Sequence, residues 1–167
     1  MSGKHAAHRA QIVLDALAET GQRGLLARGW GGLAATEVPD NVQLIDAAPH
    51  DWLFPRTTAV VHHGGAGTTA AGLRAGKPTV ICPFLGDQPF WGTLVHARGV
   101  GPEPIPQRRL TAARLAAAIH TAIQDSEIQQ RAAALGARIS AEDGVANAIA
   151  IIEQVVHQSD GRAAASR

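Results

Sequence analysis

The run Val60-Val61-His62-His63-Gly64-Gly65-Ala66-Gly67-Thr68-Thr69-Ala70 sets a glycine-rich turn between an apolar strand and the start of a helix. Ala59-Val60-Val61 has the unbroken apolar character of a strand covered on both faces. Thr68 to Ala75 reads as a helix of small residues closed by Gly76 and Pro78. Glycines accept positive φ and let a ligand approach the main chain, while the first amides of the helix point outward without intrahelical partners. The stretch therefore predicts a phosphate-type anion site, with about 0.3–1 kcal/mol supplied by the helix dipole and up to ~2 where it is partly buried. Thr68 and Thr69 add hydroxyl donors and His63 a ring donor. A tight turn whose glycines serve only packing fits the same residues, so the choice rests on what lies around them.

The next strand, Thr79 to Cys82, is halted by Pro83 and leads into Pro83-Phe84-Leu85-Gly86-Asp87-Gln88-Pro89-Phe90-Trp91-Gly92. In a parallel sheet this segment leaves by the same edge as the glycine turn, where α/β proteins bind ligands. A carboxylate beside a carboxamide supplies acceptors and donors for adjacent sugar hydroxyls, with Phe90 and Trp91 as packing or a cover. The plainer alternative makes Asp87 a helix N-cap and Gln88 an exposed first-turn residue. A nicotinamide-binding alternative also stands, because Gly65-x-Gly67-x-x-Ala70 followed by Asp87 satisfies the dinucleotide fingerprint. That fingerprint normally occupies the first βαβ unit, whereas two candidate strands precede it here, and it gives the paired histidines no role. A third alternative is a non-catalytic module that recruits a partner through the exposed edge of an incomplete sheet.

Further out, Ile12, Val13, Ala16 and Leu17 recur at helical spacing between His5 and Thr20, and Gly21 provides a stop. Gly24 to Ala27 and Val42 to Ile45 read as strands. Past Gln88 to Arg98, read as a helix, the segment Gly101 to Pro106 is too poor in amide donors for a central strand. Thr111 is an expected N-cap with Leu115 and Ile119 on the buried stripe, and helices are expected over 128–139 and 145–156. Alternation of strands and helices predicts an α/β fold with a parallel sheet. One domain over 1–158 and a disordered tail over 159–167 are expected. The opening is odd, because a helix stands where such a domain normally has its first strand.

Composition narrows the classes. The chain has 167 residues, 46% of them hydrophobic and 17% charged, and a formal net charge of +1. Lys and Arg are scattered, so nucleic acid is not an expected partner. No apolar run reaches the length of a membrane span. The single cysteine, Cys82, sits in an apolar run and is expected to pack in the core, and with no leader-like N-terminus a cytoplasmic location is expected.

Four ordered blocks carry a resemblance to a known family: Pro49-His50-Asp51-Trp52-Leu53-Phe54-Pro55, His62 to Thr69, Gly72 to Pro78 and Pro83 to Gly92. Together they resemble the donor-binding signature of family 1 glycosyltransferases, with greatest likeness to the sterol 3-β-glucosyltransferase and antibiotic-glycosyltransferase branch. Gly29-Trp30-Gly31-Gly32-Leu33 is similar to a further segment of the sterol branch. The resemblance implies the C-terminal half of a two-domain fold, a Rossmann-like parallel sheet with helices on both faces that lacks its first strand. It implies an inverting, metal-independent hexosyl transfer from a UDP- or TDP-sugar to a lipophilic hydroxyl acceptor, with UDP-glucose the first candidate and no cofactor or metal. His63, Gly65, Gly67, Thr68 and Thr69 fall on the diphosphate, and Asp87 and Gln88 on the donor sugar. His50 and Trp30 are assigned to the nucleoside region, and Ala71 stands where plant members place a ribose-binding glutamate. By the same resemblance, the acceptor domain and its catalytic histidine lie outside the chain, as expected of a truncated product, a fragment or part of a split enzyme. A partner or separate N-terminal domain is therefore expected to supply the acceptor side, leaving no catalytic residue in this chain.

Overall fold

The computed structural model describes residues 3–28 and 38–165 of the chain. Trp30 and the segment around it lie outside the described residues. Helix α1 spans Gly3–Thr20 and is followed by strands β1, Gly24–Ala27, and β2, Val42–Ile45. Gly21 stops α1 in the left-handed region, at φ 63°. A short helix α2, His50–Leu53, passes into a 3-10 turn over Phe54–Arg56 and then into β3, Val60–His62. Helix α3, Ala66–Arg74, strand β4, Thr79–Ile81, and helix α4, Gln88–Ala97, follow. The chain ends in three helices, α5 over Ala112–Gln124, α6 over Ser126–Ala141 and α7 over Gly144–Ala165.

The strands are parallel as the alternation of elements predicted, but they form two pairs. β1 runs beside β2 with Leu25 opposite Gln43, and β3 beside β4 with Val61 opposite Val80. Among the described residues the two pairs share no ladder. In each parallel ladder alternate residues turn their main-chain groups toward the partner. Val60 donates to the Pro78 oxygen and His62 accepts from the Cys82 amide, so Val61 faces away. On β1, Gly24 and Arg28 donate to Asn41 and Ile45, which leaves Leu25 and Ala27 facing away. Leu25 and Val61 are 49% and 43% exposed, high values for apolar residues in strands of this kind.

Packing on α1 joins the pairs. Val13 touches both the cluster of Leu17, Leu26 and Val42 and the cluster of Ala16, Val80, Leu115 and Ile119. Strand β4 is buried on both sides, since Val80 enters the cluster under α1 and α5 while Ile81 packs with Val95, Val100 and Ala132. Each such side chain contributes about 1.5–3 kcal/mol when fully removed from water. Helices thus cover both faces of β4. Thr111 caps α5 by accepting from the Arg114 amide, and Leu115 and Ile119 are buried, as the sequence indicated. Cys82 lies in the core, where burial pushes its thiol pKa up to about 12. The backbone of α7 continues through residues 159–165, where a tail was expected; its alanine-rich end is compatible with helix. No helix among the described residues is long and apolar enough to cross a membrane.

Candidate functional site

The site is built where β3 and β4 end on a common edge. After His62 the chain bends at Gly64, whose φ of 93° excludes ordinary side chains without strain. A Cβ at Gly64 would also stand 2.7 Å from the Ile81 Cγ2. Gly65 then takes the N-cap position of α3 with extended backbone, and the first helical hydrogen bond runs from the Thr69 amide to the Gly65 oxygen at 2.9 Å. The amides of Ala66, Gly67 and Thr68 precede that bond and carry the positive end of the helix. A Cβ built on Gly67 meets nothing within 4 Å, so the approach to these amides is open.

The side chains of this loop divide into two groups. His63 is exposed, with its Nε2 lying over Gly65, 2.8 Å from where a Cβ would be. Thr68 is half-buried on the first turn. Thr69, assigned to the diphosphate with them, is fully buried, and its hydroxyl donates to the Gly65 oxygen at 2.9 Å. It braces the loop from within, because position four of the helix turns toward the sheet.

His62 had no assigned role. Its Nδ1 accepts the Gly64 amide at 2.9 Å, which places the proton of the neutral ring on Nε2. That Nε2 is buried without a protein partner. Burial, then the charges of His63 and His50, lower its pKa to about 4, so the ring is neutral near pH 7. The dihistidine sequence was legible as a signal, but the inward direction of one ring was not. His50 opens α2 and stacks on Phe54 with ring centroids 4.4 Å apart. Helix α2 packs against α3, so the structure joins two of the blocks that are separate in sequence.

The Asp87–Gln88 segment meets the same loop from β4. Gln88 approaches Gly64 closely enough that a Cβ there would lie 3.1 Å from the Gln88 main-chain oxygen. Asp87 occupies the N-cap position of α4 but makes no side-chain cap bond. Its backbone is helical rather than extended, and Pro89 at the second helical position has no amide to offer. The carboxylate instead accepts from Trp91 Nε1 at 2.7 Å. The Gln88 Oε1 accepts the amides of Phe84 and Leu85 at 2.8 and 3.1 Å. Sequence reading gave Trp91 only a packing or covering part; its four-residue spacing from Asp87 was the available signal.

Residues 12–157 match the family described as erythromycin biosynthesis protein CIII-like, C-terminal domain. A sterol 3-beta-glucosyltransferase of Arabidopsis thaliana is 54% identical over 140 residues, covering 83% of this chain and 22% of that protein. The O-mycaminosyltylonolide 6-deoxyallosyltransferase of Streptomyces fradiae is 43% identical over 117 residues, 70% of this chain and 28% of that one. This chain thus spans between 22% and 28% of the length of these two curated relatives. Among solved structures, the glycotransferase of kitacinnamycin aligns with a TM-score of 0.77 at 26% identity, over 86% of this chain and 38% of its own. The glycosyltransferase VinC, solved in complex with dTDP, aligns with a TM-score of 0.74 at 23% identity, over 88% and 37%, a likeness of fold alone.

Proposed function

The chain belongs to the erythromycin biosynthesis protein CIII-like C-terminal domain family, and on that premise we propose that it binds the diphosphate and hexosyl unit of a nucleotide-sugar donor. The observation that carries this reading is the close approach of Gln88 to Gly64, which sets an open, amide-lined loop beside a carboxylate–carboxamide pair. The β- and α-phosphates lie against the amides of Ala66, Gly67 and Thr68, with His63 donating to a phosphate oxygen. Asp87 and Gln88 hold hydroxyls of the sugar, and His50 lies toward the nucleoside. The names of the relatives favour a glucosyl nucleotide as donor, with UDP-glucose the first candidate from the resemblance and a deoxysugar nucleotide the runner-up, and sterols or natural products as acceptors for the whole enzyme.

Within that enzyme this chain stabilises the departing diphosphate, the charge that grows in the transition state of an inverting, metal-independent transfer. The acceptor hydroxyl needs a base within hydrogen-bond reach. By the family resemblance the base and acceptor site belong to a further domain or chain, and His62, which turns inward, and His63, which is on the phosphate side, are not assigned that role. Calorimetry tests the reading: UDP-glucose binds in preference to uridine monophosphate, and His63→Ala weakens it by about 1.5–3 kcal/mol, the worth of a charge-assisted hydrogen bond. Equal affinity for the two nucleotides together with an inert His63→Ala change overturns it. Efficient turnover of UDP-glucose and a sterol by this chain alone would contradict the placement of the base elsewhere.

A further inference from the structure

We propose that Trp91 is a positioning residue that, with the Phe84 and Leu85 amides, fixes the hydrogen-bond polarity of the Asp87–Gln88 pair and so its choice of sugar. The inference rests on the donor-binding reading above. Two features free the Asp87 carboxylate from the helix: its backbone at φ −82° and ψ −7° is wrong for capping, and the second helical position is Pro89. An exposed carboxylate in that state samples several rotamers. Trp91 removes the freedom by donating Nε1–H to one oxygen, Oδ2, at 2.7 Å. The indole is itself anchored, half-buried against the cluster of Ile81, Val95, Val100 and Ala132 and edge-on to Phe90 at 5.3 Å. Oδ1 is left to accept.

Gln88 is fixed in the opposite sense. Both groups at its side-chain oxygen are amide donors, Phe84 at 2.8 Å and Leu85 at 3.1 Å, so the carbonyl end is identified and engaged. Its NH2 remains, with donors only. The pair therefore leaves one acceptor, Asp87 Oδ1, and one donor group, Gln88 Nε2, on successive residues. That polarity fits two adjacent hydroxyls of a hexosyl unit, one donating into Asp87 Oδ1 and its neighbour accepting from Gln88 Nε2. A sugar deoxygenated at either position leaves one of the pair without its partner, and loss of a charge-assisted bond corresponds to about a tenfold fall in affinity or more.

The test measures affinities for UDP, UDP-glucose and its 2-, 3- and 4-deoxy analogues by calorimetry in the parent chain, Trp91→Phe and Gln88→Glu. The parent chain disfavours at least one deoxy analogue about tenfold relative to UDP-glucose, and Trp91→Phe, which keeps a ring but no N–H, reduces that discrimination to within about threefold. Gln88→Glu keeps an oxygen for the loop amides but loses the donor, so it also loses discrimination while its unfolding midpoint stays near that of the parent. In 15N spectra the indole resonance that Trp91→Phe deletes is shifted by Asp87→Asn, an effect that packing alone does not produce. Unchanged discrimination in Trp91→Phe, or an indole resonance indifferent to Asp87→Asn, overturns the inference. If the parent chain binds UDP and UDP-glucose yet treats the deoxy analogues alike, the inference fails and the donor reading survives; if it binds neither, both fall.

Discussion

Gln88, at the start of α4, approaches Gly64, just past β3, so closely that a Cβ added to Gly64 would lie 3.1 Å from the Gln88 main-chain oxygen and 3.4 Å from its Cβ. The same Cβ would press on Ile81 Cγ2 at 2.7 Å, in a backbone conformation of φ 93°. Gly64→Ala is therefore expected to destabilise the fold by about 1–3 kcal/mol through strain and overpacking together. Urea denaturation measures the loss, and an unchanged midpoint would show that this junction yields without cost.

Gly67 lies on the other side of the loop and behaves differently. Its added Cβ meets nothing within 4 Å and its φ is not in the left-handed region, so Gly67→Ala leaves stability unchanged or raises it by up to ~1 kcal/mol. The same methyl stands on the open approach to the first amides of α3, where the diphosphate is proposed to lie. UDP-glucose affinity is expected to fall at least tenfold, by about 1.4 kcal/mol. A stable variant with parental affinity would remove the phosphate from this loop.

His62 makes stability depend on pH. Its folded-state pKa is about 4, below the ordinary 6.5 that it regains on unfolding. Between those values the unfolded state binds more protons, so stability rises with pH in this window. The contribution is complete above about pH 6.5 and is lost as pH falls toward 4, by roughly 3 kcal/mol in all. Denaturant titrations from pH 4 to 7 on the parent and His62→Gln check this. The slope of stability against pH should be shallower in the variant, and parallel slopes would assign the dependence to other groups.

The thiol of Cys82 should be silent in the native state. Burial in the cluster with Val80 and Leu115 pushes its pKa up to about 12, leaving almost no thiolate at neutral pH. A disulfide exchange reagent at pH 8 is expected to react at a rate set by unfolding and to turn rapid in denaturant. Immediate native-state labelling would place the sulfur outside the core.

The ladder pattern predicts uneven amide exchange within single strands. Val60 and Leu26 face their partner strands, whereas Leu25, Ala27 and Val61 face away. Hydrogen exchange read by nuclear magnetic resonance should show the last three amides at least tenfold less protected than the first two. Equal protection would mean that the two strand pairs close onto each other or onto a second chain.

Much of the candidate site was legible because its signals are local. A strand followed by His62 to Thr69 and a small-residue helix states the turn and the outward amides of the proposed phosphate loop, and Asp87-Gln88 after the next strand states the segment that meets that loop. Parallel connection alone places both at one sheet edge. The part played by Trp91 was not legible, because Asp87 in that position satisfies the N-cap pattern equally well. Only the backbone torsions and Pro89 show that the cap is not made.

By itself the sequence determined the order of elements, the position of the glycine loop and the family likeness, since all three reside in patterns spanning a few turns of chain. Tertiary structure decided which groups of those patterns turn outward and which turn into the core. Thr68 and Thr69 are equivalent in the sequence, yet Thr69 is sealed against the core with its hydroxyl on Gly65. His62 and His63 are adjacent, yet one is an inward, neutral brace for Gly64 and the other is exposed. Strands that periodicity alone assigns to one sheet form two pairs, with Leu25 and Val61 left at open edges. The reason is common to these cases: periodicity and capping act through near neighbours, whereas side-chain direction and hydrogen-bond partnership depend on groups that only the folded chain brings within reach.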